Sequence, residues 1–429
     1  MNTPKRDSLT LYKTLTPFPH PLVQPGPHSK HVLVVGGGVI GLTSAWALLD
    51  RGYRVTIVSK EWASFTDKQR LTSQIAGALW EYPSAVCGQY TDKISLQRSK
   101  KWCMDAYHIW DAIASDHALS KAAGVRMMPS DFYFPRPIDS DPSQLSKMNE
   151  IKNSGVRGFR QGPHLISERR VNPAHGGVDA YEILAPVIDT DAAMAWLMKL
   201  VMAKGAAVHT ETIRGDLLTS EYYLQERFDA DAIVNCTGLS GAETAGDSTC
   251  YPIRGGLIRV INDGKAFPKV EAALTISADV ARHNEIVFIV PRNDNILLLG
   301  GFTEPHEWNL DLTLESPVMQ RMKAHCEEFL PGLRNARIDP EYPIAQGLRP
   351  FRGRNIRVER ELRTLATGRP PSRIVHSYGH GGAGWSLCFG CAADVVTLVE
   401  EAVMELPRKS VTSEHIYSRV APTAFQARM

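Results

Sequence analysis

The stretch from His31 to Glu61, HVLVVGGGVIGLTSAWALLDRGYRVTIVSKE, leaves the chain few ways to fold. Val32 to Val35 is a short apolar run ending in glycines, Ala45, Leu48 and Leu49 recur at helical spacing, and a second apolar run from Tyr53 to Val58 follows Gly52. That order predicts a βαβ unit whose helix closes at Gly52. Gly36, Gly38 and Gly41 make G-x-G-x-x-G: a tight turn, close approach of the backbone to a pyrophosphate, and close packing of helix on strand. Val39 and Ile40 open the helix, where unpaired amides and the positive dipole end favour an anion. The acidic residue that would hold a ribose is missing from the end of the second strand, where Ser59 and Lys60 stand, with Glu61 one step on. This speaks against NAD and leaves Ser59 and Lys60 as cofactor-side candidates by position alone. Val32 to Leu49 carries no charge, but four glycines with Thr43 and Ser44 disfavour a membrane span.

At 429 residues the chain has room for two to three domains. Lysine and arginine (48) nearly balance aspartate and glutamate (46), so no basic face points to nucleic acid or to a membrane surface. Seven scattered cysteines form no disulfide framework and suit a reducing compartment. Cys388 and Cys391 make a lone C-x-x-C without histidines at ligand spacing, which predicts buried thiols and no metal. Residues 1–30, with Pro17, Pro19, Pro21, Pro25 and Pro27, contain no apolar signal-peptide core and read as an extended arm. Ala427-Arg428-Met429 follows the small, basic, apolar pattern of a peroxisomal address, the cytoplasm being the alternative location.

After the βαβ unit, QRLTSQIAGALWEYPS offers hydroxyls at Thr72 and Ser73 and closely approachable backbone at Ala76, Gly77, Ala78 and Leu79. Tyr90 to Ala114 has helical spacing, whereas residues 129–180 lose it and predict strands and loops, beginning with Phe132, Tyr133 and Phe134. Asp189 to Gly205 predicts a helix capped by Asp189 or Thr190, and Ala206 to Thr210 a strand. ADAIVNCTGLSG predicts a strand ending in a turn at Thr237-Gly238, and Glu285 to Phe302 two strands around Asn293-Asp294-Asn295. Near the end, Gly381, Gly382, Ala383, Gly384, Trp385 and Ser386 lead into an apolar helix running to about Val403. This second glycine loop before a helix start implies a ligand with negative character at both ends. FAD fits better than NAD: its pyrophosphate suits the first helix, and the pyrimidine edge of the reduced flavin suits the second.

These segments, in this order, resemble the D-amino-acid oxidase family of FAD enzymes from His31 to about Glu401. The residues that carry the resemblance are VVGGGVIGL, TSQIAGALW, ADAIVNCTGL, PIRG, FIVPR followed by LLLGG, GLRPFR followed by IRVERE, and YGHGGAGW. The fold implied is α/β: a Rossmann-like, glutathione-reductase-type FAD domain assembled from residues 31–80, 186–245 and 350–405. An inserted α+β substrate domain with a mixed or antiparallel sheet takes residues 81–185 and 246–349, leaving a tail at 406–429. The reaction implied is oxidation of an amine beside a carboxylate, with hydride passing from the α-carbon to flavin N5, the imine hydrolysing, and O2 returning as H2O2.

By the resemblance Arg349 binds the substrate carboxylate, a structural salt bridge being the alternative, while Gly382 and Ser386 line the flavin and the substrate amine. His380 reads either as a base or as a histidine packed at a turn. Two departures stand out: Phe288 replaces a tyrosine common in the family, and Thr303 stands where some members have a second. Arg349, Phe288, Thr303 and Ser386 are therefore the candidate catalytic residues, and small D-amino acids become doubtful substrates. The expected partners are a small carboxylated amine and O2; the oligomeric state stays open, a homodimer included. The alternatives are a flavoenzyme that dehydrogenates or cyclises a larger nitrogenous compound, and a flavin-binding protein without turnover.

Overall fold

Apolar strands on either side of an uncharged helix give the predicted βαβ unit: β1 (His31–Val35), α1 (Val39–Asp50) and β2 (Arg54–Ser59), with Val32 opposite Val55 in a parallel pair. The computed structural model describes residues 8–66, 69–84, 92–280, 286–364 and 371–408. Ala427-Arg428-Met429 lies outside them. The βαβ unit belongs to a six-stranded sheet whose order across is Arg357–Arg360, Ile374–Tyr378, Ala232–Asn235, β1, β2 and Ala207–Thr210. All neighbours are parallel except the first pair, so the carboxyl ends of the four central strands open on one edge.

A second, nine-stranded sheet is mixed, with long antiparallel pairs such as Val125–Phe134 with Asp179–Ile188 and Ile344–Arg352 with Cys250–Ile261. Val287–Pro291 and Ile296–Gly300 form the predicted hairpin, Phe288 opposite Gly300. One face of this sheet buries Ile258, Ile289 and Leu299 against the Pro317–Phe329 helix. The other face, carrying Leu257, Phe288 and Leu298, looks toward Ile75 and the first sheet's loops.

Several boundaries fall elsewhere than the sequence suggests. Residues 81–185 do not form one separate unit: the Lys93–Ser115 helix lies along the Gly384–Val403 helix, with Trp110 Nε1 donating to the Trp385 carbonyl at 3.1 Å and its ring 4.8 Å from that of Phe389. Apolar burial decides this, since Trp102, Trp110 and Phe389 sit in the core that also holds α1. Strand Asp179–Ile188 runs past 186, and Ile344–Arg352 past 349, because each ladder continues to Val125 and Cys250. Within 129–180, Pro142–Asn153 is a helix: Asp141 caps it, accepting from the Ser143 and Gln144 amides, and Pro142 suits the first turn.

Residues 8–30, read as an extended arm, are anchored on the first sheet's helix. Leu9, Leu11, Leu15 and Thr16 are buried, and Asp50 at the end of α1 receives the Thr16 amide at 2.7 Å. The strand Arg357–Arg360, charged in sequence, is buried because its charges pair internally: Arg357 with Glu359 at 2.8 Å and with the Tyr378 hydroxyl at 2.8 Å. Cys388 and Cys391 are buried in the last helix, and among the described residues no group of side chains could hold a metal and no helix is long and apolar enough to cross a membrane.

Candidate active site

The glycine loop is held by backbone. Gly36 has φ +119°, and a Cβ there would strike the Cys236 carbonyl of the neighbouring strand, so glycine alone fits the turn. Gly38 precedes α1 in extended conformation with no side chain to cap the helix, and no acid occupies the first turn. Val39 donates to the Ser73 hydroxyl at 3.0 Å, which leaves the Ile40 and Gly41 amides at the helix start uncapped. The Gly384–Val403 helix repeats the pattern, uncapped and without an early acid, behind Gly381 at φ +57° and an exposed Gly382.

The predicted cofactor contacts converge on this edge. Ser73 lies in the short Thr72–Ile75 helix; its carbonyl receives the Trp385 indole at 2.8 Å, while the Thr72 hydroxyl reaches the Leu348 carbonyl at 3.1 Å. Thr237 and Gly238 follow the strand beside β1, the Thr237 hydroxyl donating to Asn235 at 2.8 Å. Gly77, Ala78 and Leu79 run from this edge toward the second sheet, where Leu79 bridges to Val187 and Gly77 abuts the Phe288 ring. Two uncapped helix starts facing a strip of small residues fit an FAD, with anionic character at its pyrophosphate and at its flavin.

Ser59 and Lys60 are not left free for such a ligand. The Ser59 hydroxyl accepts from the Gly37 amide at 3.1 Å and donates to the Glu61 carbonyl at 2.7 Å, so it braces the loop. Lys60 is exposed and paired with Glu61 at 3.1 Å. A residue missed in the sequence, Trp62, packs its ring on Gly37, where a Cβ would come within 2.6 Å of it, and donates to Thr210 at 2.8 Å.

Arg349 projects from the inner face of the second sheet over Gly255, whose missing side chain makes room for the guanidinium. Its Nη1 reaches the Arg254 and Phe302 carbonyls at 3.5 Å each, and among the described residues it meets no carboxylate. Neighbouring arginines differ: Arg254 binds Glu304 at 2.7 Å and Asp311 at 2.5 Å, and Arg352 binds Asp247 at 2.7 Å. Desolvation draws the Arg349 pKa down to about 10, which leaves it charged at neutral pH. Arg349 thus makes no ion pair among the described residues, and a desolvated guanidinium fork has the donor geometry that suits a carboxylate.

Phe288 and Thr303 stand on that side of the second sheet, partly buried, and neither supplies a phenol. Ser386 is buried, its hydroxyl accepting from the Glu81 amide at 3.3 Å. His380 is buried with no partner on Nε2, and desolvation pulls it down to about 3; it is neutral at physiological pH and packed at the turn. Glu81 is the other residue sequence reasoning passed over, although an acid inside an otherwise apolar ALWEY run is itself a signal.

Residues 31–398 match the family model described as FAD dependent oxidoreductase, DAO. The chain is 31% identical over 367 residues to a D-amino-acid oxidase from Streptomyces coelicolor, covering 86% of this chain and 96% of that protein. A D-amino-acid oxidase from Rubrobacter xylanophilus is 29% identical over 372 residues with the same coverage. Among solved structures, glycine oxidase from Geobacillus kaustophilus superposes with a TM-score of 0.66 at 17% identity, over 92% of this chain and all of that one. An FAD-bound L-α-glycerophosphate oxidase from Mycoplasma pneumoniae gives 0.62 at 15%, over 87% and 95%. At such identities the structural matches speak for the fold.

Proposed function

Because this chain belongs to the DAO family of FAD-dependent oxidoreductases, and the curated relatives it matches are D-amino-acid oxidases, we propose that it oxidises a small amine bearing a carboxylate next to the reacting carbon. The observation that carries the reading is Arg349, a charged, desolvated fork that meets no carboxylate among the described residues, on the inner face of the second sheet. Held by that fork, a substrate carboxylate fixes the adjacent carbon in one orientation, and most of the rate gain in such a site comes from orientation. The chemistry supplied by the bound flavin is acceptance of a hydride at N5 and return of the electron pair to O2 as H2O2. No side chain needs to remove a proton from carbon, which agrees with a His380 that stays neutral and packed.

A second reading, a flavoenzyme working on a larger nitrogenous compound, is favoured by one feature: Phe288 and Thr303 provide no phenols to close over a small substrate. A protein that binds flavin without turnover gives no reason to keep Arg349 without a carboxylate partner among the described residues. The test is anaerobic mixing of the purified yellow protein with D-, L- and N-alkyl amino acids while the visible flavin band is followed. Bleaching by at least one carboxylated amine, and not by its decarboxylated analogue, is the expected result; absence of bleaching across the panel overturns the reading.

A further inference from the structure

Glu81 is buried, 7% exposed, beside the strip of small residues that faces the second sheet. Its Oε1 is bound by the Ser277 hydroxyl and lies 4.0 Å from Lys147 Nζ, and Lys147 is in turn 3.0 Å from Asp279. Its Oε2 makes no hydrogen bond among the described residues. A carboxylate oxygen left open on a nearly buried side chain has room for a donor.

The sheet fixes where that oxygen stands relative to Arg349. The Arg349 guanidinium lies over Gly255 and near the Phe302 carbonyl. Gly255 and Ser277 lie on the first and last of four adjacent strands and toward the same end of the ladder, Gly255 three residues past Ile258 and Ser277 one past Ile276. Three interstrand spacings make roughly 14 Å between the guanidinium and Ser277. Contact at each end takes about 3–4 Å, leaving about 7 Å, the span from a carboxylate to the terminal nitrogen of an extended lysine-like chain. Phe288 lies between the two ends, on the same face as Leu257 and Gly300, and offers an apolar surface for methylenes.

We propose that Glu81, braced by Ser277, is a specificity-determining residue that receives the terminal ammonium or guanidinium of a basic amino acid whose carboxylate is held by Arg349. The inference rests on the carboxylated-amine reading above. The charges around Glu81 agree with it. Lys147 from the Pro142–Asn153 helix and Asp279 beyond strand Ala273–Ile276 face it, with Tyr181 from strand Asp179–Ile188 nearby, so two carboxylates share one ammonium. Burial, only partly offset by Lys147, raises Glu81 to about 7, so preference for a cationic side chain should grow as pH rises through neutrality.

The test compares D-lysine with the uncharged isostere D-norleucine on the native holoenzyme and on Glu81→Gln and Glu81→Asp. We expect the native ratio of kcat/KM, lysine over norleucine, to exceed tenfold at pH 8, to shrink at pH 6, and to fall to about one in Glu81→Gln with partial recovery in Glu81→Asp. A native ratio of one or below, or a ratio that survives in folded Glu81→Gln, overturns the inference and leaves the carboxylated-amine reading standing. If no member of the panel bleaches the flavin, both fall. Should Glu81→Gln not fold, native protein alone decides: 6-aminohexanoate, which lacks an α-amine, must perturb the flavin spectrum at a concentration at least tenfold lower than hexanoate does, and equal concentrations refute the proposal.

Discussion

At the scale of single residues the proposed chemistry turns on Arg349, a charged group that meets no carboxylate among the described residues. On the proposed reading, with no phenols at Phe288 and Thr303 to share the work, carboxylate recognition would fall mainly on its guanidinium. Truncating one member of a desolvated charge pair costs about 2–5 kcal/mol, so Arg349→Leu should lower kcat/KM by roughly thirty- to several-thousand-fold. The loss should appear chiefly in KM, with the flavin spectrum unchanged. Arg349→Lys should recover part of it, since an ammonium lacks the planar fork. Steady-state kinetics on the acid and its methyl ester check this: the ester should lose as much with native protein as the acid loses with the mutant, and normal acid turnover by Arg349→Leu would place the anchor elsewhere. By the same reasoning D-alanine, which can reach Arg349 but not the far end of the chamber, should be oxidised far less efficiently than the best substrate of a panel.

At the scale of elements, the βαβ unit is held at both ends of its helix. At the start, Gly36 and Gly38 leave the backbone bare for the cofactor. Valine at both should abolish the yellow colour of the purified protein, with circular dichroism confirming the fold, since a Cβ at Gly36 also presses on Cys236. At the other end, Asp50 has no exposed side-chain surface and binds Lys204 at 2.7 Å, the Trp46 indole at 2.8 Å and the amides of Thr16 and Leu22 at 2.7 and 3.2 Å. Asp50→Ala strands the Lys204 ammonium in the interior and removes the latch of residues 8–30, so urea denaturation should show a loss of about 3–5 kcal/mol. A loss under 1 kcal/mol would mean that the N-terminal segment is held by Leu9, Leu11 and Leu15 alone. This latch marks where sequence stops being legible. Glycine spacing and helical periodicity are local, so β1, α1, β2, the hairpin around Asn293-Asp294-Asn295 and the last helix can be read from residues a few places apart. Asp50 with Lys204, and Arg357 with Glu359 inside a buried strand, are charges that in sequence look like solvated surface. What buries them is the meeting of segments far apart in the chain, and no local pattern carries that. Arg349 stands apart: a motif, GLRPFR, singles it out in the sequence, and the structure adds that it meets no carboxylate among the described residues.

At the scale of the whole molecule, the buried titratable groups set how stability answers to pH, and they fall into opposed sets. Burial lowers His376 to about 4 and His380 to about 3, so between their folded values and about 6.5 the unfolded chain binds more protons, and stability is lost as pH falls through that window. Burial raises Glu81 and Asp131 to about 7, so from about 4 to 7 the folded chain holds the extra protons, and stability is lost as pH rises. Two groups of each sign act over pH 4.5–6.5, which predicts a nearly level stability there. Below about 4 the balance ends, because Glu81 and Asp131 are then protonated in both states and contribute no slope. Burial would raise Asp247, but the Arg352 charge and hydrogen bonds from Thr249 and Tyr378 hold it down at about 2. In Glu361 burial is likewise overcome, by His376 and Arg363, which keep it well below the usual carboxylate range. Both lose their stabilisation as pH falls from about 4 toward 2, in the same direction as the histidines. Each group adds about 1.4 kcal/mol per pH unit, so the unfolding free energy should drop by roughly 3–5 kcal/mol per unit below pH 4 after a plateau above it. Thermal melts of the holoprotein in matched-salt buffers from pH 3 to 8 read this directly. A midpoint that declines steadily from pH 7 to 4.5 would show that Glu81 and Asp131 are ionised in the folded protein, and with that the pH dependence expected of the lysine preference would disappear as well.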